Sequence, residues 1–240
     1  MVGSSSLRIR GVSSVGELLP YKQAVVGSNP ASPNFFLSSI DITPAIFHHW
    51  HMIDSDIKHI SSPILTSKRL LLRPFITDDA RALFSWASDP EVTRYLRFET
   101  HETIQESQRI INLWMKSAER PPFFHWAMER REDLVVIGSI GIEITSMHDN
   151  RGELGYCLTR SAWNQGYATE ALRCVLDFGF NVAMFHRLEA CHSTNNPASG
   201  RVMEKAGMRH EAGPLHHYYR SNALGYQDSM MYVACSDTWQ

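Results

Sequence analysis

Charge of one sign is in short supply in this chain. Its 23 lysines and arginines against 25 aspartates and glutamates leave a net charge of −2 over 240 residues, and no long basic run occurs. That argues against nucleic acid as the main partner, because neutralising a phosphate backbone takes clustered Lys and Arg. Also lacking is an apolar stretch of about 18 residues, so no membrane span is expected. Cysteine is sparse: Cys157, Cys174, Cys191 and Cys235 form no CxxC pair and all have apolar neighbours. They read as buried small hydrophobes in a reducing compartment, the cytoplasm, with Cys157 the candidate if one of them is a catalytic thiol. No GxxxxGK[ST] phosphate loop is present.

What is there suits a soluble globular domain with an appendage, or two small domains. Hydrophobic residues make up 43% and charged residues 20%, enough for a packed core. Residues 1–51 stand apart from the rest. They hold nine serines, only Glu17 and Asp41 as acids, and turn-prone stretches such as Gly27-Ser28-Asn29-Pro30. No period of 2 or 3.6 runs through them, so little packed structure is expected. Three readings remain open: a targeting segment, a genuine tail, or a mistranslated upstream region with Met52 as the true start. For the last, Val25-Val26-Gly27-Ser28-Asn29-Pro30 resembles a translated tRNA-gene T-arm, since GGTTCGAATCC in frame reads Gly-Ser-Asn-Pro. His48, His49 and His51 lack the i, i+4 spacing of a zinc site, and no metal is expected.

Residues 52–240 read as one domain. Leu70-Leu71-Leu72-Arg73-Pro74-Phe75 predicts a first strand. Thr77 is the expected cap of a helix running to about Ala87, and a second helix is expected over residues 103–118. Residues 123–130 and 134–145 are β-rich runs joined by Arg131-Glu132-Asp133, a hairpin signal. Gly138 and Gly141 inside the second run imply a bulge or a close backbone approach. A third strand is expected over residues 153–158, a helix over 167–178, a strand over 187–192, a helix over 197–206 stopped by Gly207, and a final strand over 228–234. Hairpin-paired strands followed by strands separated by helices describe a mixed α/β sheet with helices on both faces.

The stretch Trp163-Asn164-Gln165-Gly166-Tyr167-Ala168-Thr169-Glu170-Ala171 lies between an expected strand and a helix. Glycine permits close approach of a ligand to the backbone, and the amides of a helix's first turn are free to bind an anion. Alone this is equally a plain helix start. Its neighbours make it specific. Glu153-Leu154-Gly155-Tyr156-Cys157-Leu158, the loop, Leu188-Glu189-Ala190-Cys191, Asn196-Pro197-Ala198-Ser199 and Glu204-Lys205-Ala206-Gly207-Met208 resemble the core of the GNAT superfamily of N-acetyltransferases in its usual order. The similarity is greatest to the branch that includes ribosomal-protein N-terminal acetyltransferases.

The resemblance implies a splayed central mixed sheet, acetyl-CoA as co-substrate, and a primary amine acceptor, either a protein N-terminus or a small molecule. It implies CoA phosphates on the amides of Gln165, Gly166, Tyr167, Ala168 and Thr169, and pantetheine against the backbone of Tyr156, Cys157 and Leu158. Asn196 matches the family's CoA-contacting asparagine, and Ser199 its small hydroxyl residue. Met203 replaces the tyrosine that is the general acid in many members, which excludes tyrosine catalysis at that position and keeps a non-catalytic acyl-CoA-binding module open as the alternative. The protein is expected to be a monomer or homodimer.

Amide formation needs a neutral amine. Deprotonation at pH 7 costs about 1.4 kcal/mol for an α-amine and about 4.6 for a lysine, so a modest base suffices for the former. Glu153 is the candidate, sharing a strand face with Gly155 and Cys157; the competing reading is a solvated strand-end carboxylate. Glu143 is the reserve. Ser199 is the candidate donor to the departing thiolate, with helix capping as the competing role. Trp86, Tyr95 and His216-His217-Tyr218-Tyr219 are candidates to line an acceptor pocket, or equally to be core or rim.

Overall fold

The computed structural model describes residues 61–239; the expectations for residues 1–51, His48–His51 included, lie outside them. Among the described residues an eight-stranded sheet organises the chain. In sequence the strands are β1 (Leu65–Thr66), β2 (Leu70–Arg73), β3 (Phe124–Arg130), β4 (Val135–Ser146), β5 (Arg151–Leu158), β6 (Arg187–Ser193), β7 (Arg209–Ser221) and β8 (Gly225–Cys235). Their spatial order is β1-β2-β3-β4-β5-β6-β8-β7. All neighbours are antiparallel except β5 and β6.

The helices are α1 (Ala80–Ala87), the short α2 (Pro90–Thr93), α3 (Ile104–Ala118), α4 (Tyr167–Asn181) and α5 (Pro197–Ala206). They divide by sheet face. Ala171, Leu172, Val175 and Leu176 of α4 and Met203 and Ala206 of α5 pack with Leu72, Trp126, Ile140, Leu154 and Leu188. On the other face, Leu83 and Trp86 of α1 and Ile111 of α3 pack with Phe75, Ala127 and Val136. Val136 faces one core and Ile140 and Ile142 the other, although a regular strand would put all three on one face; an extra residue between them reverses the alternation. Met128 pairs with Gly138 and Glu129 with Val136, so Ile137 is an extra residue. A Cβ on Gly138 would lie 2.1 Å from the Cys157 carbonyl oxygen, so the bulge and the close approach occur together at this glycine.

One expectation is overturned, one strand was not foreseen and one open alternative is decided. Thr77 caps nothing: Asp79, buried in a preceding 3-10 turn (Thr77–Asp79), accepts the Ile76 N–H at 2.8 Å. The same carboxylate takes two bonds from Arg73, at 2.8 and 2.9 Å. An acid there satisfies the amide and the guanidinium at once, which a threonine hydroxyl cannot. Second, residues 209–221 form a full strand that no periodicity signals, because most of β7 is exposed. Third, Trp86 is 1% exposed and belongs to the core; it lines no pocket.

Candidate active site

The sheet opens in its middle. β5 and β6 are in register only at Arg151–Arg187, Gly152–Leu188 and Glu153–Glu189. Beyond that pair the strands part, and residues 154–158 keep partners only on β4. The backbone polar groups of β5 that would have met β6 are left for another partner. Gly155 lies in this stretch with nothing within 4 Å of its Cβ position. Tyr156, Cys157 and Leu158 therefore bring their main chain to the mouth of a gap.

The gap ends at the start of α4. Gly166 occupies its N-cap position with φ 82°, a left-handed conformation that glycine adopts at no steric cost. The amides of Tyr167, Ala168 and Thr169 form the first turn and have no partner inside the helix. The side chains of Tyr167 and Ala168 are buried, so these residues contribute through their backbone. The loop before the helix is held from several sides: Trp163 Nε1 donates to the Leu158 carbonyl at 2.9 Å, and Gln165 Nε2 to the Ser161 carbonyl at 2.7 Å. Arg69 donates to the Gln165 carbonyl at 2.9 Å and its guanidinium lies 4.3 Å from the centre of the Tyr167 ring. Glu170 holds Arg69 there by accepting from its Nε at 2.7 Å. A cleft of about 680 Å³ runs past Arg69, Gly166, Thr169, Arg173 and Lys205.

On the α4–α5 face of the gap, Tyr156 and Ser199 meet. The Tyr156 hydroxyl donates to the Ser199 carbonyl at 3.0 Å and lies 2.9 Å from Ser199 Oγ. Burial pushes this phenol well above its ordinary pKa, against the opposing pull of the Ser199 bond, so it keeps its proton. The Ser199 hydroxyl bonds to tyrosine rather than capping α5. Asn196 takes the N-cap position and makes no side-chain capping bond. Met203 is 1% exposed.

The opposite face carries carboxylates. Glu143, Glu153 and Glu189 are register partners across β4, β5 and β6. Glu153 is no free strand-end acid: its Oε1 lies 3.4 Å from Arg97 NH2 and accepts from Cys191 Sγ at 3.7 Å. The Arg97 guanidinium also lies 4.9 Å from the centre of the Tyr219 ring, and Tyr219 donates to the Tyr95 carbonyl at 3.0 Å. Glu143 has an exposed end, yet the surrounding protein and then the Glu153 charge raise its pKa. The Cys157 thiol is pushed up to about 12 by burial, as is Cys191. A nucleophilic thiol needs the opposite shift, so the thiol expectation for Cys157 is set aside.

The structure thus groups Gln165–Thr169 at one helix start, Tyr156 with Ser199 on one face, and Glu153 with Glu143 on the other. Sequence reasoning missed Arg69, Arg97 and the Tyr156 side chain. Arg69 and Gln165 are 96 positions apart and no local pattern joins them.

A model of the GNAT acetyltransferase domain matches residues 69–209. The uncharacterized N-acetyltransferase YoaA of Bacillus subtilis is 33% identical over 168 residues, 70% of this chain and 94% of that protein. A GNAT-family acetyltransferase structure from Bacillus anthracis superposes with a TM-score of 0.65 at 25% identity, covering 73% of this chain and 99% of that one. A spermidine N-acetyltransferase from Vibrio cholerae, solved with CoA and spermine, shares the fold at 18% identity and a TM-score of 0.61, over 71% of this chain and 98% of its own. With the parted strands, the glycine-led helix start and a matching domain over more than half its length, this chain belongs to the GNAT acetyltransferase family.

Proposed function

We propose that the protein transfers an acetyl group from acetyl-CoA to a primary amine, a protein N-terminus or a small-molecule amine, by direct attack in a ternary complex. The parting of β5 from β6 beside the α4 N-terminus carries this reading. It supplies a slot lined by unpaired backbone for an amide-bearing pantetheine arm. The slot leads to a first turn whose amides and dipole favour a pyrophosphate. The residues present fit the co-substrate: Gln165, Gly166, Tyr167, Ala168 and Thr169 would hold its phosphates, Tyr156, Cys157 and Leu158 its arm, with Asn196 at the start of α5. The thioester supplies an activated acyl group. A spermidine acetyltransferase of the same fold was solved with CoA, which favours the assignment.

The gap lets donor and acceptor meet from opposite faces of the sheet. Glu153 faces the acceptor side and accepts a proton from the amine, directly or through water, with Glu143 opposite it as a second carboxylate. Arg97 orients Glu153. A backbone N–H on β5 steadies the oxyanion. On the donor side, the Tyr156 phenol and Ser199 hydroxyl form a pair that can pass a hydrogen bond or proton to the departing sulfur. The phenol remains protonated at neutral pH, as a donor must.

We assign this activity to residues 52–240, and the four unpaired thiols suit the cytoplasm. Among the described residues no helix is long and apolar enough to cross a membrane. Acetyl-CoA turnover against a panel of amines and N-terminal peptides, read by release of free thiol, tests the proposal. Turnover with any of these acceptors supports it. CoA binding without turnover across the whole panel would favour a non-catalytic acyl-CoA-binding module.

A further inference from the structure

The β7–β8 hairpin has a feature to which the proposed transfer assigns no chemical step. Leu215 pairs with Ser229 and Tyr219 with Gln227. Between these pairs β7 carries three residues, His216, His217 and Tyr218, while β8 carries one, Asp228. The extra residues bulge out over the carboxylate. In a regular strand adjacent side chains point to opposite faces, which would separate the two histidines. Here His217 takes φ 48°, a conformation unfavourable for a residue with a Cβ. The alternation is thereby broken: the two imidazoles lie 3.8 Å apart, inclined by only 22°.

Asp228 is set to face them. Its Oδ1 accepts the His217 backbone N–H at 2.8 Å and lies 3.0 Å from His216 Nδ1. Its backbone carbonyl accepts from Thr194 N–H at 2.9 Å. One ligating atom from each of His216, His217 and Asp228 lies within 4.8 Å of the other two.

We propose that His216, His217 and Asp228 form a binding site for a divalent transition-metal ion of the zinc or nickel class. Two imidazoles and a carboxylate are the donors such ions prefer, whereas calcium and magnesium take sets made of oxygen. Zinc–nitrogen and zinc–oxygen bonds of about 2.0–2.2 Å place neighbouring ligand atoms roughly 3.5 Å apart. One pair, His216 Nδ1 and Asp228 Oδ1, already stands at 3.0 Å, and both imidazoles are exposed, so neither is held by core packing. The main-chain bond to Asp228 plays the part of an outer-shell partner, fixing the carboxylate before the ion arrives. The ion would replace the His216–Asp228 contact and leave its remaining positions to water.

The test is zinc titration of the full-length chain by calorimetry, with His48, His49 and His51 changed to Ala so that the leader histidines cannot compete. One equivalent should bind, and H216A or D228N should weaken it at least tenfold. H217N, which keeps a residue tolerant of positive φ, should do the same. Melting curves without zinc establish that each variant is folded. Zinc should then raise the Tm of the parent and not of the variants, because only a ligand bound to the native state stabilises it. Cobalt(II) should give a visible absorption band in the parent that is lost in H216A. The proposal is overturned by absence of one-equivalent binding at millimolar zinc, or by binding that H216A and D228N leave unchanged.

Discussion

The phenol of Tyr156 on β5 and the hydroxyl of Ser199 in the first turn of α5 are hydrogen-bonded at 2.9 Å across the floor of the opened sheet. Two protonated oxygens on one side of the gap make a relay in which either can face the leaving sulfur. S199A and Y156F should each lower kcat about tenfold or more while acetyl-CoA affinity changes little. The double variant should be scarcely worse than the poorer single one, because paired groups act as a unit. Thiol-release kinetics and acetyl-CoA binding, measured side by side, check this. Wild-type turnover in both single variants would leave catalysis to positioning and the backbone oxyanion site.

Gly166 begins α4 with φ 82°. G166V would strain that conformation and crowd the Arg69 guanidinium, which lies 3.4 Å from the Cβ position. CoA affinity should fall at least tenfold, about 1.4 kcal/mol, with the fold retained. Calorimetry reads the affinity and circular dichroism the fold. Unchanged affinity would reduce the loop to a helix start.

Glu153→Gln should slow turnover more for a lysine-like acceptor than for an α-amine, since the deprotonation gap is about 3 kcal/mol wider. Loss of the base should flatten the low-pH limb of the rate profile, whereas loss of the thiolate donor should lower its plateau. Equal effects on both acceptors would count against Glu153 as base.

Glu143 gives a stability prediction with a definite sign. Its folded pKa is raised by burial and by Glu153, so the folded state disfavours its charge. The cost is absent below the ordinary glutamate pKa and fully present above the raised one. E143Q should therefore raise the Tm at pH 8 relative to wild type and lose that advantage near pH 4. A pH-independent difference would contradict the shift.

Arg73 bridges Asp79 and Glu129, with contacts of 2.8 and 2.6 Å; the Asp79 side chain is only 5% exposed. R73M should cost about 3 kcal/mol, because it strands a buried carboxylate without its partner. Denaturant titration measures this, and a loss under about 1 kcal/mol would mean that water replaces the guanidinium.

Deletion of residues 1–51 should leave the Tm and CoA affinity unchanged if residues 52–240 are the whole catalytic domain. A large fall in Tm would show that the leader packs on it.

Much of this architecture is written locally. The apolar spacing over α3, the proline at the start of α5 and the glycine at 207, which adopts φ 104°, need only short-range sterics and periodicity to be read. So do the parity that puts Glu153 and Cys157 on one face and the glycine that opens α4. The tertiary structure alone decided the rest. β7 is an exposed strand whose pairing comes from β8 rather than from its own pattern. Trp86 could have faced a pocket or a core until α3 and β4 closed over it. Arg97 and Glu153 are 56 positions apart, and Tyr156 and Ser199 are separated by 43. Such pairs are fixed by where the sheet opens and how α5 packs beneath it. A sequence lists the groups able to carry charge or a proton, but only the packed chain decides which of them meet, because a hydrogen bond depends on distance in space.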